Sequence, residues 1–462
     1  MALSTDIDLA GAPVATEAGG ARPHWIDDWR PEDTTFWETT GKRIARRNLA
    51  FSIFSEHLGF SVWTMWSVFV LFLGPEYGFD PGQKFLMTTL PAAAGSLLRL
   101  PYTFAVAKVG GRNWTIVSSL LLLVPCFMAA AVIEPGVSFS TMLVIAVFAG
   151  VGGGNFSSSM SNIETFYPQR LKGWALGLNA GGGNLGVAVV QLMGLLVLET
   201  AGTEHPRVLL AIYIPLVVVA ALCAALFMDN LTHATNEKGA MREVMRDNHT
   251  YIMSFLYIGT FGSFIGYGFA FGQVLLVQFP DHYATPVRAA YVTFLGPLLG
   301  SLIRPVGGWL ADKIGGSVVT FWNFVAMACG AGIVLAASKA DSLPLFIVGF
   351  VVLFVLSGLG NGSTYKMIPA IFAAKSKLAV EAGADPDAEV AQARRLSRAL
   401  IGIAGSVGAF GGVLVNIALR QSFLSSGTGD GAYIAFIAFY VACLVVTWVC
   451  YMQPRKAKLQ GV

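Results

Sequence analysis

The chain has 462 residues, 55% of them hydrophobic and only 12% charged, with a formal net charge of +3. Soluble domains carry about 25% charged residues, so the composition excludes a soluble globular protein, and so small a net charge excludes a nucleic-acid binder. The five cysteines (Cys126, Cys223, Cys329, Cys443 and Cys450) sit in apolar runs with no CxxC pair, which excludes a disulfide framework.

Residues 1–40 read as a cytoplasmic tail. The first 36 are rich in Ala, Gly and Asp, lack the basic start and apolar core of a signal peptide, and are expected to be mobile. Apolar segments long enough to cross a bilayer, about 20 residues each, follow at 50–73, 85–107, 114–133, 141–163, 174–198, 207–228, 250–274, 287–310, 317–338, 343–371, 398–423 and 431–452. These twelve spans divide six and six: an N-terminal half at 41–228, a polar linker at 229–249, a C-terminal half at 250–452 and a short tail at 453–462. Between spans 10 and 11 the charged stretch around Asp385-Pro386 is expected to start a short surface helix. Of the 30 Lys and Arg residues, only Lys84, Arg207, Arg288, Lys339 and Arg420 fall in the connections on the far side from the N-terminus. The positive-inside bias then puts both termini in the cytoplasm, with the chain in the cytoplasmic membrane.

The repeat is the most informative feature. Gly95-Ser96-Leu97-Leu98-Arg99 in span 2 recurs in span 8 as Gly300-Ser301-Leu302-Ile303-Arg304, and Lys108-Val109-Gly110-Gly111 recurs as Lys313-Ile314-Gly315-Gly316. Two related halves are implied. Each half also places an arginine inside an apolar run, where an unpaired charge is costly and marks function. Two guanidiniums in a two-fold arrangement suit a small anion.

Spans 4, 5, 10 and 11 are crowded with glycine, including Gly152, Gly153, Gly154, Gly181, Gly183, Gly358, Gly405 and Gly408. Such residues let helix backbones approach closely and, beside a cavity, admit a small ligand. Asn155, Asn179 and Asn184 lie among them, and an amide in hydrocarbon needs a partner and can donate to an anion's oxygens. Gly181-x-Gly183-x-x-Gly186 matches the dinucleotide fingerprint formally, but a membrane span is not the strand–turn–helix that fingerprint needs. No HExxH, GxSxG or Walker motif is present, so nothing suggests an enzyme, a metal or a cofactor.

Gly308 to Gly316, through Asp312 and Lys313, resembles the loop that major facilitator transporters carry between spans 2 and 3 and again between spans 8 and 9. The first copy departs from it, with Ala107 where Asp312 stands in the second. The segment from Asp28 to Asp33 with Phe36-Trp37, the run from Asn155-Phe156 to Phe166-Tyr167-Pro168, and Leu176 to Asn179 with Gly183-Asn184 resemble the NarK-type nitrate/nitrite porters. The resemblance implies an all-helical major facilitator fold of twelve spans in two pseudo-symmetric halves. It also implies an anion held between Arg99 and Arg304, aromatic residues Phe156, Tyr257 and Phe261 around it, and Asn184 as the asparagine of the glycine signature.

The function that follows is movement of nitrate and nitrite by alternating access, as exchange of the two anions or as proton-coupled nitrate symport, by a carrier read as a monomer. A nitrate-sensing membrane protein and an organic-anion facilitator are the other readings. Glu56 and His57 in span 1 and Lys366 in span 10 bear on the choice. Glu56 and Lys366 can pair across the cavity, Glu56 or His57 can titrate and couple the anion to protons, or Glu56 and His57 can sit idle at the lipid boundary.

Overall fold

The computed structural model describes residues 23–232, 238–283, 285–453, 459 and 462; residues 1–22 and most of the C-terminal tail lie outside the described residues. Among the described residues, twelve long helical segments form the bundle. Span 1 is Lys42–Thr64 continued by Trp66–Phe72, and span 2 is Pro81–Val109. Spans 3 to 12 are Gly111–Val132, Phe139–Phe166, Gln169–Ala201, Arg207–Phe227, Asn248–Gln278, Pro286–Ile314, Gly316–Lys339, Leu343–Glu381, Pro386–Ser426 and Asp430–Met452. Those ten are each apolar enough to cross a membrane on their own sequence. Spans 1 and 2 are more polar because they carry Glu56 and Arg99, and both side chains are fully buried.

Local chemistry sets the helix ends. Span 2 begins with a capping box in which Asp80 and Gln83 satisfy each other's backbone N–H groups, with Pro81 as the first helical residue. It ends at Gly110, whose φ of +94° only glycine adopts readily. Span 8 ends at Gly315 with the same φ of +94°, so the repeat seen in sequence is also a repeat in backbone conformation. The second loop carries the Asp312–Lys366 ion pair, at 2.8 and 2.9 Å. In the first loop, where Ala107 offers no carboxylate, Asn230 of the linker exchanges side-chain and backbone hydrogen bonds with Asn113 at 3.1 and 3.3 Å.

Two expectations change. The segment from residue 23 to 36, read as part of a mobile tail, packs beneath the N-terminal half. Trp25–Ile26 pairs in parallel with Asn230–Leu231, Trp29 Nε1 donates to Thr165 O at 3.2 Å, and Glu32 accepts from the Gln169 N–H that opens span 5, at 2.8 Å. Its aromatic residues are the cause: Trp29 meets Phe36 and Phe166 edge-on, burying area a mobile tail would leave wet. The short surface helix expected at Asp385-Pro386 is instead the start of span 11 itself, which runs unbroken for 41 residues with Asp385 as its N-cap.

The halves meet along spans 2 and 11 and spans 5 and 8. At the end away from the linker the seam is closed in layers: Arg420 Nε donates to Gly82 O at 3.0 Å, Phe85 stacks on Phe423 at 5.5 Å, and Thr88 donates to Asn416 at 3.0 Å. Toward the linker end, Arg398 of the C-terminal half meets Glu164 of the N-terminal half at 2.5 Å.

Asp247, the residue just before span 7, caps that helix through the His249 N–H at 3.0 Å and pairs with Lys375 at 2.5 Å. Burial acts to raise its carboxyl, but the Lys375 ammonium and the His249 N–H outweigh it and hold the carboxyl below the usual aspartate range. A depressed folded value contributes stability above the ordinary range and loses it as pH falls. Asparagine caps a helix as well as aspartate, so Asp247→Asn should cost only the ion pair, about 0.5 kcal/mol at neutral pH, and the deficit should be smaller at about pH 3, below the ordinary aspartate value. Thermal unfolding of the purified protein at both pH values checks this, and a deficit unchanged in acid would refute it.

Candidate functional site

The Arg99 guanidinium lies wholly inside the bundle, between the halves. Its Nη1 donates to Gly405 O of span 11 at 3.0 Å, while Nε and Nη2 are buried without a hydrogen-bond partner among the described residues. Phe156 of span 4 and Phe261 of span 7 lie 4.6 and 4.9 Å from its carbon, and Trp63 of span 1 lies 5.6 Å away. Arg304, at the matching place in the second half, is 7% exposed. Its Nη2 reaches Tyr257 Oη at 3.5 Å, its Nη1 is buried without a partner among the described residues, and the Tyr365 ring stands 5.7 Å off. Phe156, Phe261 and Tyr257 form a continuous stack, with centroids 6.1 and 5.3 Å apart. A π-helical turn at Ile258–Gly262 puts Tyr257 and Phe261 on the same side of span 7, and such turns concentrate at functional sites.

A buried guanidinium N–H without an acceptor is expensive, and the two halves together leave three such nitrogens. An anion with several oxygens would satisfy them, and the surrounding rings keep out water that would otherwise screen the charges.

Of the other residues expected at the site, Glu56 is fully buried, facing spans 4 and 5. Its Oε2 accepts from Asn179 Nδ2 at 2.6 Å and from Ser159 Oγ. Asn179, expected to face an anion, thus gives its amide to Glu56 and Ser159. Gly183 packs on the Glu56 carboxyl and Gly408 on the Tyr257 ring. Asn184 is buried with its Oδ1 unpartnered among the described residues, as are both polar atoms of the Asn155 amide.

The pairing of Glu56 with Lys366 is overturned. Lys366 binds Asp312 and its side chain is 42% exposed, because Tyr365, one residue earlier, takes the inward face and turns Lys366 about 100° away. His57 is likewise rotated off the site: its Nδ1 lies 3.0 Å from Gly182 O on span 5. Neither Glu56 nor its donors are idle at a lipid boundary. Trp63, Ser159 and Tyr365 were not singled out as site residues from sequence. Tyr365 was detectable as the residue one helical turn after Asn361 in span 10; Trp63 and Ser159 carry no comparable signal.

Twelve spans in two repeated halves around a buried, doubly cationic seam define a secondary-transporter architecture. The Major Facilitator Superfamily model matches residues 49–385, and solved structures agree on the fold: a D-xylose-proton symporter aligns with a TM-score of 0.65 over 90% of this chain and 98% of its own at 12% identity, and the nucleoside transporter NupG with 0.58 over 87% and 98% at 15%. The nitrate/nitrite transporter NarU of Salmonella typhimurium is 38% identical, covering 94% of this chain and 97% of its own length. NarU of Escherichia coli is 36% identical over 93% and 96%, and the probable nitrate/nitrite antiporter NarK2 of Thermus thermophilus 32% over 95% and 99%. The chain belongs to the NarK-type nitrate/nitrite porters of the Major Facilitator Superfamily.

Proposed function

We propose that this chain carries nitrate and nitrite across the cytoplasmic membrane by alternating access, holding one anion at a time between Arg99 and Arg304. The observation that carries the reading is the set of buried guanidinium nitrogens, Nε and Nη2 of Arg99 and Nη1 of Arg304, left without acceptors among the described residues beside an aromatic stack. A planar monoanion with its charge spread over two or three oxygens matches a planar, forked donor. The transport names of the relatives agree with it. The concentration of Lys and Arg at the linker end of the bundle supports a cytoplasmic location for that end and for both termini.

Exchange of nitrate for nitrite is the mode the two arginines favour. Two unit charges about 6 Å apart at an effective dielectric near 20 repel by roughly 3 kcal/mol, so a carrier with nothing between them closes poorly, and an anion relieves the repulsion. A second reading, nitrate symport with a proton, is favoured by one observation: Glu56 is a fully buried carboxyl hydrogen-bonded by the neutral side chains of Ser159 and Asn179.

Counterflow tests the function. Proteoliposomes loaded with nitrite should accumulate labelled nitrate several-fold faster than buffer-loaded ones if exchange operates. Nitrate binding without any uptake would turn the reading to a sensor, and no response to either anion would defeat it.

A further inference from the structure

We propose that residues 25–36 are a strap that sets a latch between the halves: by capping both sides of the corner between spans 4 and 5, the strap holds Glu164 where Arg398 of the C-terminal half reaches it. The proposal rests on the transport reading and adds a control on closure at the linker end, which the anion site itself does not require.

The corner cannot finish its own helices. Span 4 ends at Phe166 with the carbonyls of its last turn unpaired within the helix, and span 5 starts behind Pro168, which has no side-chain acceptor for the first N–H groups. The strap supplies both partners. Trp29 Nε1 donates to Thr165 O at 3.2 Å, and Glu32 accepts from the Gln169 N–H at 2.8 Å. The polarity suits each end, because a carboxylate is favoured at a helix N-terminus and a donor at the C-terminal carbonyls. Apolar contacts hold the strap in place: Ile26 and Trp29 pack on the small core that contains Ile163, Phe166 and Tyr167, and Trp37, directly after the strap, meets Tyr167 edge-on.

The latch lies within one turn of both caps. Glu164 directly precedes Thr165, and Lys172 lies three residues after Gln169. One carboxylate oxygen, Glu164 Oε1, faces cations from opposite halves: Lys172 of span 5 at 3.7 Å and Arg398 of span 11 at 2.5 Å. When the halves part, Arg398 leaves, while Lys172 stays with Glu164 because both ride on the corner. The carboxylate is never left alone, so opening gives up one half-exposed pair and no more. Arg398 is braced from its own side, since Arg395, three residues earlier on span 11, is bound by Glu243 of the linker helix Lys238–Val244.

A pair that weak holds only where its geometry is fixed beforehand, and fixing it is the strap's role. Alternating access needs the linker end shut whenever the far seam opens. With the strap released, the corner loses its caps, Glu164 loses its register with Arg398, and the form that takes up anion from the far side becomes rarer. The anion site, deeper in the bundle, keeps its own contacts.

The test joins labelled-nitrate uptake by nitrite-loaded proteoliposomes to hydrogen–deuterium exchange over residues 160–172, both on the full-length chain. Trp29→Phe with Glu32→Ala removes both caps and keeps an aromatic ring. This strap variant should take up nitrate about threefold more slowly, with nitrate affinity within about twofold, and its corner amides should exchange about tenfold faster. Glu164→Gln should slow uptake to a similar degree with corner exchange unchanged, and Arg398→Lys should stay within about twofold of the wild type. Combining the strap variant with Glu164→Gln should cost no more than the larger single loss, because both act through one latch. Wild-type uptake by the strap variant, losses that multiply in the combination, or a fall in affinity that matches the fall in rate would each overturn the proposal and leave the anion site standing. A wild type that takes up no nitrate would defeat the transport reading instead. Corner exchange then decides the brace by itself, and equal rates in wild type and strap variant would overturn it. If the double variant does not fold, Trp29→Phe alone, which loses only the N–H to Thr165 O, is read by the same criteria.

Discussion

Replacing either Arg99 or Arg304 with lysine should abolish nitrate binding, lowering affinity by 100-fold or more, about 3 kcal/mol. The loss comes from geometry rather than charge. Arg99 uses one nitrogen on Gly405 O and still presents two others, while its flat face lies against Phe156 and Phe261. An ammonium has no plane to stack and no fork to divide between a carbonyl and an anion. Isothermal titration with nitrate is the measurement, and unfolding temperature confirms that the variants fold. Arg420→Lys is the control, since that residue closes the far seam on Gly82 O and should leave affinity within about twofold. Near-normal binding in both Arg99→Lys and Arg304→Lys would refute the site.

Gly183→Val should reduce transport at least tenfold, whereas Gly181→Val, two residues away in the same glycine run, should leave it within about twofold. A β-carbon on Gly183 would collide with the Glu56 carboxylate and lie 2.7 Å from its Cγ. That side chain cannot swing clear, because Ser159 and Asn179 hold it. A β-carbon on Gly181 meets nothing within 4 Å, and valine is better tolerated in a helix than glycine. Nitrate uptake by vesicles containing equal amounts of each variant separates them. Equal loss in both would mean that the glycines act through helix packing alone and not through Glu56.

The contrast marks where sequence reading stops. A glycine run announces that helices approach closely or line a cavity, but Gly181 and Gly183 look alike in it, and only the facing helix tells them apart. The charged residues behaved the same way. Glu56, His57 and Lys366 were all visible as costly groups in apolar spans, and rotation about the helix axis then sent them to three different places: Glu56 to the Asn179 amide, His57 to the Gly182 carbonyl, and Lys366 to Asp312. The folded segment from Pro23 to Phe36 was hidden for a related reason, since its Trp29 finds Thr165 and Phe166 only after span 4 is in place.

What the sequence determined by itself is everything that depends on composition and period. Twelve spans follow from the bilayer's thickness, the two halves from the repeat of Arg99 at Arg304, and the family from its glycine and aromatic motifs. What only the tertiary structure decided is which buried polar groups meet. Arg99 rests on Gly405, 306 positions away, and Glu56 on Asn179, 123 positions away. Such pairings follow from the rotation and crossing of packed helices. One residue of register turns a side chain about 100°, and the one-dimensional pattern of apolar residues does not resolve an angle that fine.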